Sequence, residues 1–299
     1  MELTRRSLLK SFTATTAAVA TAGSKSAFAR ARKSPADDAV GMLYDATKCI
    51  GCKTCVVACK KANGMPDETP NGLWEAPVDL SGKTKNVIKL CRDGELTSYV
   101  KAQCMHCVDP ACVSVCMMGA LHKAAYGVVE YDVNKCIGCR YCQVACPFEV
   151  PKFEWTKAVP KIVKCEMCKH RLKEGKEPAC TEVCPTKAVI FGKRSALLAD
   201  AKERIKQNPE KYVPKVYGET DAGGTQVLYL SALPFEKLGL RTMGDEPIPA
   251  ATETVQHAVY KGFIAPIALY ALLGGVMFRN RVNKVAKSEQ GKPPKEVQP

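Results

Sequence analysis

Seventeen cysteines stand in a chain of 299 residues, and sixteen of them fall into four tight quartets. Cys49, Cys52, Cys55 and Cys59 follow a C-x2-C-x2-C-x3-C spacing. Cys104, Cys107, Cys112 and Cys116 open the middle gap to four residues. Cys136, Cys139, Cys142 and Cys146 return to the strict form and end in Pro147. Cys165, Cys168, Cys180 and Cys184 stretch the middle gap to eleven and end in Pro185. Only Cys91 stands apart. Disulfide frameworks of small secreted domains spread their cysteines, whereas this crowding is that of metal centres.

The strict spacing is that of [4Fe–4S] clusters. Three cysteines two residues apart wrap a loop round one cube, and the fourth points away to a second cube. Gly51 and Gly138 are expected to let the loop backbone approach inorganic sulfide. Residues 44–59 (YDATKCIGCKTCVVAC) and 131–146 (YDVNKCIGCRYCQVAC) share eleven of 16 positions at an offset of 87, so the unit is duplicated. Short β-type runs flank the loops at Met42–Tyr44, Tyr99–Val100, Val128–Tyr131 and Val189–Phe191. Strand, cysteine loop, short helix and strand make a ferredoxin half-unit. The fold class expected is therefore α+β, built of tandem or nested ferredoxin-like units holding four [4Fe–4S] clusters. A structural zinc scaffold, the reading of a different class, needs pairs of C-x2-C knuckles separated by a long gap; only the fourth quartet resembles that. From the residues alone, the quartets could pair as neighbours or in nested fashion.

The formal net charge of +14 raises nucleic acid as a partner. Half of that excess lies outside the body, in the N-terminal segment and the basic C-terminal tail. Four clusters of roughly −2 each would absorb the remainder, so no nucleic-acid partner is expected. Cys91 reads as a spare thiol, His106 and His170 as hydrogen-bonding neighbours of the ligands, and Trp74 and Trp155 as packing residues. No Walker loop, dinucleotide fingerprint or H-E-x-x-H motif is present, so no catalytic site is expected.

Two further segments read as addresses. Thr4-Arg5-Arg6-Ser7-Leu8-Leu9-Lys10, a mildly apolar run and Ala27-Phe28-Ala29 resemble a twin-arginine signal peptide over residues 1–29, a route that exports folded, cofactor-loaded proteins. Gly262–Phe278 is free of charge and would span about 26 Å as a helix. With its flanking Tyr260, Lys261, Arg279 and Arg281 it predicts a transmembrane helix over 257–281. The expected organisation is then a signal at 1–29, a cluster domain at 30–194, and a helix-and-strand extension and linker at 195–256. The membrane helix and a basic cytoplasmic tail at 282–299 complete it. The cluster domain would face the periplasm from the inner membrane, with a single pass and lipid as a partner.

From Asp45 to about Tyr229 the chain resembles the four-cluster subunits of membrane-bound oxidoreductases. That resemblance implies a nested pairing. One cluster would sit on Cys49, Cys52, Cys55 and Cys184, and a second on Cys165, Cys168, Cys180 and Cys59. A third would take Cys104, Cys107, Cys112 and Cys146, and a fourth Cys136, Cys139, Cys142 and Cys116. Met117 departs from the family, where Pro often follows the fourth cysteine of the second quartet. The signal, the clusters, the tail and Val216–Gly239 are together most similar to the ferredoxin-like, membrane-anchored subunit of hydrogenase-2-type [NiFe] hydrogenases. Its implied partners are the hydrogenase small and large subunits and an integral membrane, quinone-reactive subunit. The alternative is the β-subunit of another periplasmic oxidoreductase, such as a formate dehydrogenase or a polysulfide, tetrathionate or nitrite reductase.

Overall fold

A computed structural model describes residues 31–66, 77, 79–94, 96–254 and 264–290. Residues Ala31–Ala250 form one compact unit, and the C-terminal helix belongs to a second. The expected signal peptide lies outside the described residues, as do the start of the expected membrane span and the end of the tail.

The centre of the larger unit is strand β1 (Val40–Asp45), which the sequence places just before the first cysteine loop. It pairs antiparallel with β8 (Val189–Lys193) and parallel with β9 (Val227–Leu230), giving the order β8-β1-β9. Both faces of β1 are covered, so it reads as a continuous apolar run rather than an alternating one. Leu43 points to one side, where it packs with Leu197, Ala201, Tyr212 and Leu228 beneath helix α6 (Arg194–Gln207). Met42 and Tyr44 point to the other, into a core shared with Val56, Ile88, Val100 and Tyr229. The cysteine loops lie on that second side.

An antiparallel hairpin, β2 (Asn86–Asp93) with β3 (Leu96–Gln103), is bound to the sheet through tyrosine hydroxyls. Tyr44 donates to the Tyr99 carbonyl at 2.8 Å and Tyr229 to the Lys101 carbonyl at 2.6 Å. Two further hairpins, β4 (Leu121–Lys123) with β5 (Val129–Tyr131) and β6 (Lys152–Phe153) with β7 (Ile162–Val163), frame the second copy of the repeat.

The segment expected as an extension after residue 194 supplies β9, one edge strand of the central sheet. Its lead-in is also structural: the Val108 N–H donates to the Gly224 carbonyl and the Gln226 N–H to the Met105 carbonyl. Arg194 is buried and donates to the carbonyls of Thr225 and Glu219 at 2.6 and 3.1 Å. Residues 224–227 thus hold the loop of the second quartet in place.

Helix α7 (Ile264–Gln290) does not follow the expected span of 257–281. No helix among the described residues is long and apolar enough to cross a membrane. The reason lies in the charges. Between Ile264 and Phe278 there is none, which makes about 22 Å of helix against a hydrocarbon core of about 30 Å. The helix then continues through Arg279 and Arg281 into the part expected as a tail, because no Gly or Pro interrupts it before Gly291.

Candidate metal centres

Each strict loop opens on an aspartate that fixes the turn. Asp45 Oδ1 accepts from the Thr47 N–H at 3.0 Å, and Asp132 Oδ1 accepts from the Asn134 N–H at 3.0 Å. Short side chains of this type bond to backbone two residues on and steer it away from helix. Lys53 and Arg140, both in the left-handed region (φ 59° and 65°), then turn the chain into the helices. These are α1 (Thr54–Ala62) and α3 (Tyr141–Ala145). Helix begins before the third cysteine rather than at the fourth, so Cys55 and Cys59 lie four residues apart on one face of α1. Gly51 adopts φ +72°, and a Cβ there would fall 2.4 Å from the Tyr99 ring. The close approach that requires glycine at this position is therefore an aromatic one.

The fourth cysteines come from other loops, and the structure gathers sixteen thiols into four groups. Cys55 has Cys49, Cys52 and Cys184 as thiol neighbours, and the four line one cavity. Cys59 lies among Cys165, Cys168 and Cys180. Cys107 lies among Cys104, Cys112 and Cys146. Cys142 has Cys116, Cys136 and Cys139, and these four line a second cavity. The grouping is nested: the first and fourth quartets exchange their last cysteines, as do the second and third. Helices α5 (Ala179–Glu182) and α2 (Ala111–Ser114) make the exchange possible, by packing against α1 and α3 respectively.

The groups follow one another in a row. Cys55 neighbours Cys180 across the first boundary, Cys104 neighbours Cys165 across the second, and Cys112 neighbours Cys142 across the third. None of the seventeen cysteines is in a disulfide.

The donor chemistry fits iron–sulfur clusters. Burial, aided by crowding against other thiols, pushes Cys55 and Cys104 up to about 11 and Cys112, Cys142 and Cys180 up to about 12. Lysines oppose the rise at most of these sites. Four thiols packed dry in one place ionise together only when cations enter among them. Cys184 moves the other way: its burial is outweighed by the backbone N–H groups of Val189, Ala188 and Thr186 and by the Thr186 hydroxyl, which favour thiolate. Among the described residues no three His, Cys, Asp or Glu converge as they would round a single ion. A cube spreads its four irons among separate thiolates.

Lysines surround the groups. Lys101 and Lys164 are buried to 0 % and 2 % exposure. Lys164 donates to the carbonyls of Val129 at 2.5 Å and Cys165 at 3.1 Å. Lys123 donates to the Cys107 carbonyl at 2.9 Å, and its burial lowers it to about 8. The basic surplus in the sequence matches the cluster charge, but nothing in the sequence singles out these lysines. The Asp93-Gly94 step between two β-rich runs was the available signal for the hairpin that carries Lys101.

The singular residues separate cleanly. His106 is buried, and its Nδ1 accepts from the Val129 N–H at 3.1 Å. Its Nε2 has no protein partner although buried, which suits a donor aimed at a group outside the polypeptide. His170 is exposed on α4 (Lys169–Lys173). The Cys91 thiol donates to the Leu238 carbonyl at 3.6 Å and joins no quartet. Met117 is exposed at the cavity lined by Cys116, Cys136, Cys139 and Cys142. Trp155, expected to pack, is 60 % exposed, with the Arg140 guanidinium 4.2 Å from its ring centroid. Trp74 lies outside the described residues.

Comparison with known proteins points the same way. The model of a 4Fe–4S dicluster domain matches residues 96–194. The chain is 41 % identical over 286 residues to the hydrogenase-2 operon protein HybA of Escherichia coli O157:H7, covering 83 % of this chain and 87 % of that one. The protein of the same name from Shigella flexneri matches to the same extent. The iron–sulfur subunit of the nitrate-inducible formate dehydrogenase of Escherichia coli K12 is 38 % identical over 200 residues, covering 64 % of this chain and 67 % of that subunit.

Proposed function

Because this chain belongs to the family of the hydrogenase-2 operon protein HybA, we propose that it relays electrons between a periplasmic [NiFe] hydrogenase and a quinone-reactive membrane subunit. The coarser statement, an iron–sulfur electron-transfer subunit of a redox complex, follows from the family and the dicluster domain. The observation that carries the relay is the row of four thiol groups, each beside the next; the hydrogenase as its partner rests on the longer match to HybA.

Four [4Fe–4S] clusters on these thiols would supply one-electron carriage. The polypeptide would do the rest. Cys49, Cys52, Cys55 and Cys184 would hold the first centre, and Cys59, Cys165, Cys168 and Cys180 the second. Cys104, Cys107, Cys112 and Cys146 would hold the third, and Cys116, Cys136, Cys139 and Cys142 the fourth. Nested ligation ties distant parts of the chain together, so each centre is also a staple of the fold. The second group is buried throughout and the third is buried at Cys104 and Cys112, which limits water in the middle of the row. Cys139 is exposed at one end and Cys49 and Cys52 are half-buried at the other, so electrons would enter and leave at the ends.

For location, the reading is export by the twin-arginine signal at 1–29 and attachment to the inner membrane near α7. Ile267, Leu269, Tyr270, Leu272, Val276 and Phe278 are all exposed on that helix, an arrangement suited to lipid. The β-subunit of a formate dehydrogenase is the second reading, favoured by the 38 % identity; the longer match to HybA favours hydrogenase.

The test is mild-detergent purification of the tagged chain, with mass spectrometry of what accompanies it and analysis of iron and acid-labile sulfide. A [NiFe] large subunit with about 16 irons per chain is the expected result. A molybdopterin subunit instead would move the assignment to formate dehydrogenase or a related reductase, and zinc without sulfide would end the cluster reading.

A further inference from the structure

Lys101 is fully buried, yet among the described residues it forms no ion pair. Its ammonium donates to Gln103 Oε1, a neutral acceptor. Gln103 in turn reaches the Met42 sulfur at 3.4 Å, so no carboxylate stands behind it. A charged group kept dry needs an anion or shifts to its neutral form, because isolated charge costs far more to bury than any single hydrogen bond returns. The surroundings identify the anion. Lys101 lines the cavity formed by Cys49, Cys52, Cys55 and Cys184. Its thiol neighbours are Cys55 of that group and Cys59, Cys165 and Cys180 of the next. The lysine thus stands at the boundary of the first and second groups, where Cys55 and Cys180 are themselves neighbours.

The hairpin makes this placement. On β3, Val100 and Lys101 are both buried although they point to opposite faces, Val100 into the apolar core and Lys101 toward the thiols. The Lys101 backbone is held by the Tyr229 hydroxyl from the central sheet. The stem is therefore aimed from a rigid strand and not from a mobile loop.

We propose that Lys101 is a fixed, buried positive charge shared by the first two centres, which raises the reduction potential of both. The inference rests on the cluster-binding reading given above. Reduction adds one negative charge to a centre, and a cation held in a dry, low-dielectric position favours that added charge more strongly than a surface lysine could. Placed between two centres, it acts on both in the same direction.

The test replaces Lys101 in the full chain by Met, which keeps the length of the stem and removes the charge, and by Arg, which keeps the charge. Iron and sulfide are counted first, and EPR-monitored redox titration follows. Four clusters present, with two midpoints lowered in Lys101→Met and restored toward wild type in Lys101→Arg, is the expected outcome. The shift expected is about tenfold in the reduced-to-oxidised ratio at a given potential, or about 59 mV for one electron. The fourth centre, on Cys116, Cys136, Cys139 and Cys142, should keep its midpoint. Four intact clusters with unmoved midpoints in Lys101→Met overturn the proposal while leaving the cluster reading whole. If Lys101→Met loses iron, loading in Lys101→Arg but not in Lys101→Gln supports a requirement for charge. Equal loss in Arg and Gln shows a role of shape alone and overturns it. Absence of iron and sulfide from the wild type would instead refute the cluster reading itself.

Discussion

The two copies of the duplicated motif begin with the same local instructions and end in different surroundings. In both, an aspartate makes the opening turn, an Ile-Gly-Cys step follows, and a basic residue in the left-handed region leads into helix. The first copy continues from the middle strand of a three-stranded sheet into a nine-residue helix. The second continues from one strand of a two-stranded hairpin into a helix of five residues. Cys55 and Cys59 are buried in the first, whereas only Cys142 is buried in the second. The equivalent valines, Val57 and Val144, are 46 % and 87 % exposed. Local sequence thus sets the shape of the loop, and tertiary packing decides how deeply the helix that follows it is buried.

That difference is largest at the opening aspartates. Asp45 is wholly buried, and its carboxylate accepts from the Thr47 hydroxyl at 2.6 Å and the Tyr212 hydroxyl at 2.9 Å. It also pairs with Arg204 of α6 at 3.3 Å. Asp132 makes the same turn near the surface, with a loose pair to Lys135 at 3.7 Å. Asp45→Ala should therefore cost about 3 kcal/mol, since it leaves the Thr47 N–H and the Thr47 and Tyr212 hydroxyls without their acceptor, while Arg204 keeps its pair with Asp200. Asp132→Ala should cost about 1 kcal/mol, the net value of one hydrogen bond. Circular dichroism melting of the cluster-loaded proteins measures both. Equal losses would mean that the two copies are equivalent after all.

This contrast also marks how far the sequence could be read. The strands at Met42–Tyr44 and Val189–Phe191, the helix from about residue 195 to Gln207 and the strand near Gln226–Leu230 were legible, because each carries its own apolar pattern. Assembly of β9 beside β1 was not, since pairing across about 180 residues leaves no mark in either strand. The hairpin β2–β3 was seen only at Tyr99–Val100. Lys101 occupies an inward position, and an inward lysine makes a buried strand read as a solvated one. For the same reason the individual buried cations were not located, although the basic surplus of the body was matched to the cluster charge. Cysteine spacing identified the ligand type, but both nested and neighbouring pairing satisfy it. Family resemblance favoured nesting, and the contact of α1 with α5 supplies its physical route.

The glycines of the two loops offer a finer division. Gly51 and Gly138 share the same backbone region, at φ +72° and +70°. A Cβ at position 51 would strike the Tyr99 ring, while nothing of the protein lies within 4 Å of one at position 138. Both Ala variants should bear about 1–2 kcal/mol of backbone strain. Gly51→Ala should lose a further 1–3 kcal/mol, roughly, from overpacking against Tyr99. Adding Tyr99→Leu to Gly51→Ala should recover part of that increment in a thermal melt. No recovery would place the cause elsewhere than the ring.

The smallest effect concerns the residue that enters each helix. Arg140 stacks at 4.2 Å from the centroid of Trp155 and 6.0 Å from that of Phe153, whereas Lys53 in the first copy has no ring among the cation–ring contacts of the described residues. The stack is half in water, which limits it to about 0.5–1 kcal/mol. Arg140→Lys removes the planar face that lies on the indole while keeping the charge, so it should lose most of that amount. Lys53→Arg should change nothing measurable. Because Trp155 is exposed, the stack can also be followed directly: its fluorescence should shift in Arg140→Lys and stay constant in Lys53→Arg. Identical behaviour of the two variants would show that the basic residue serves only the left-handed turn, and that the outward copy gains nothing from its aromatic neighbour.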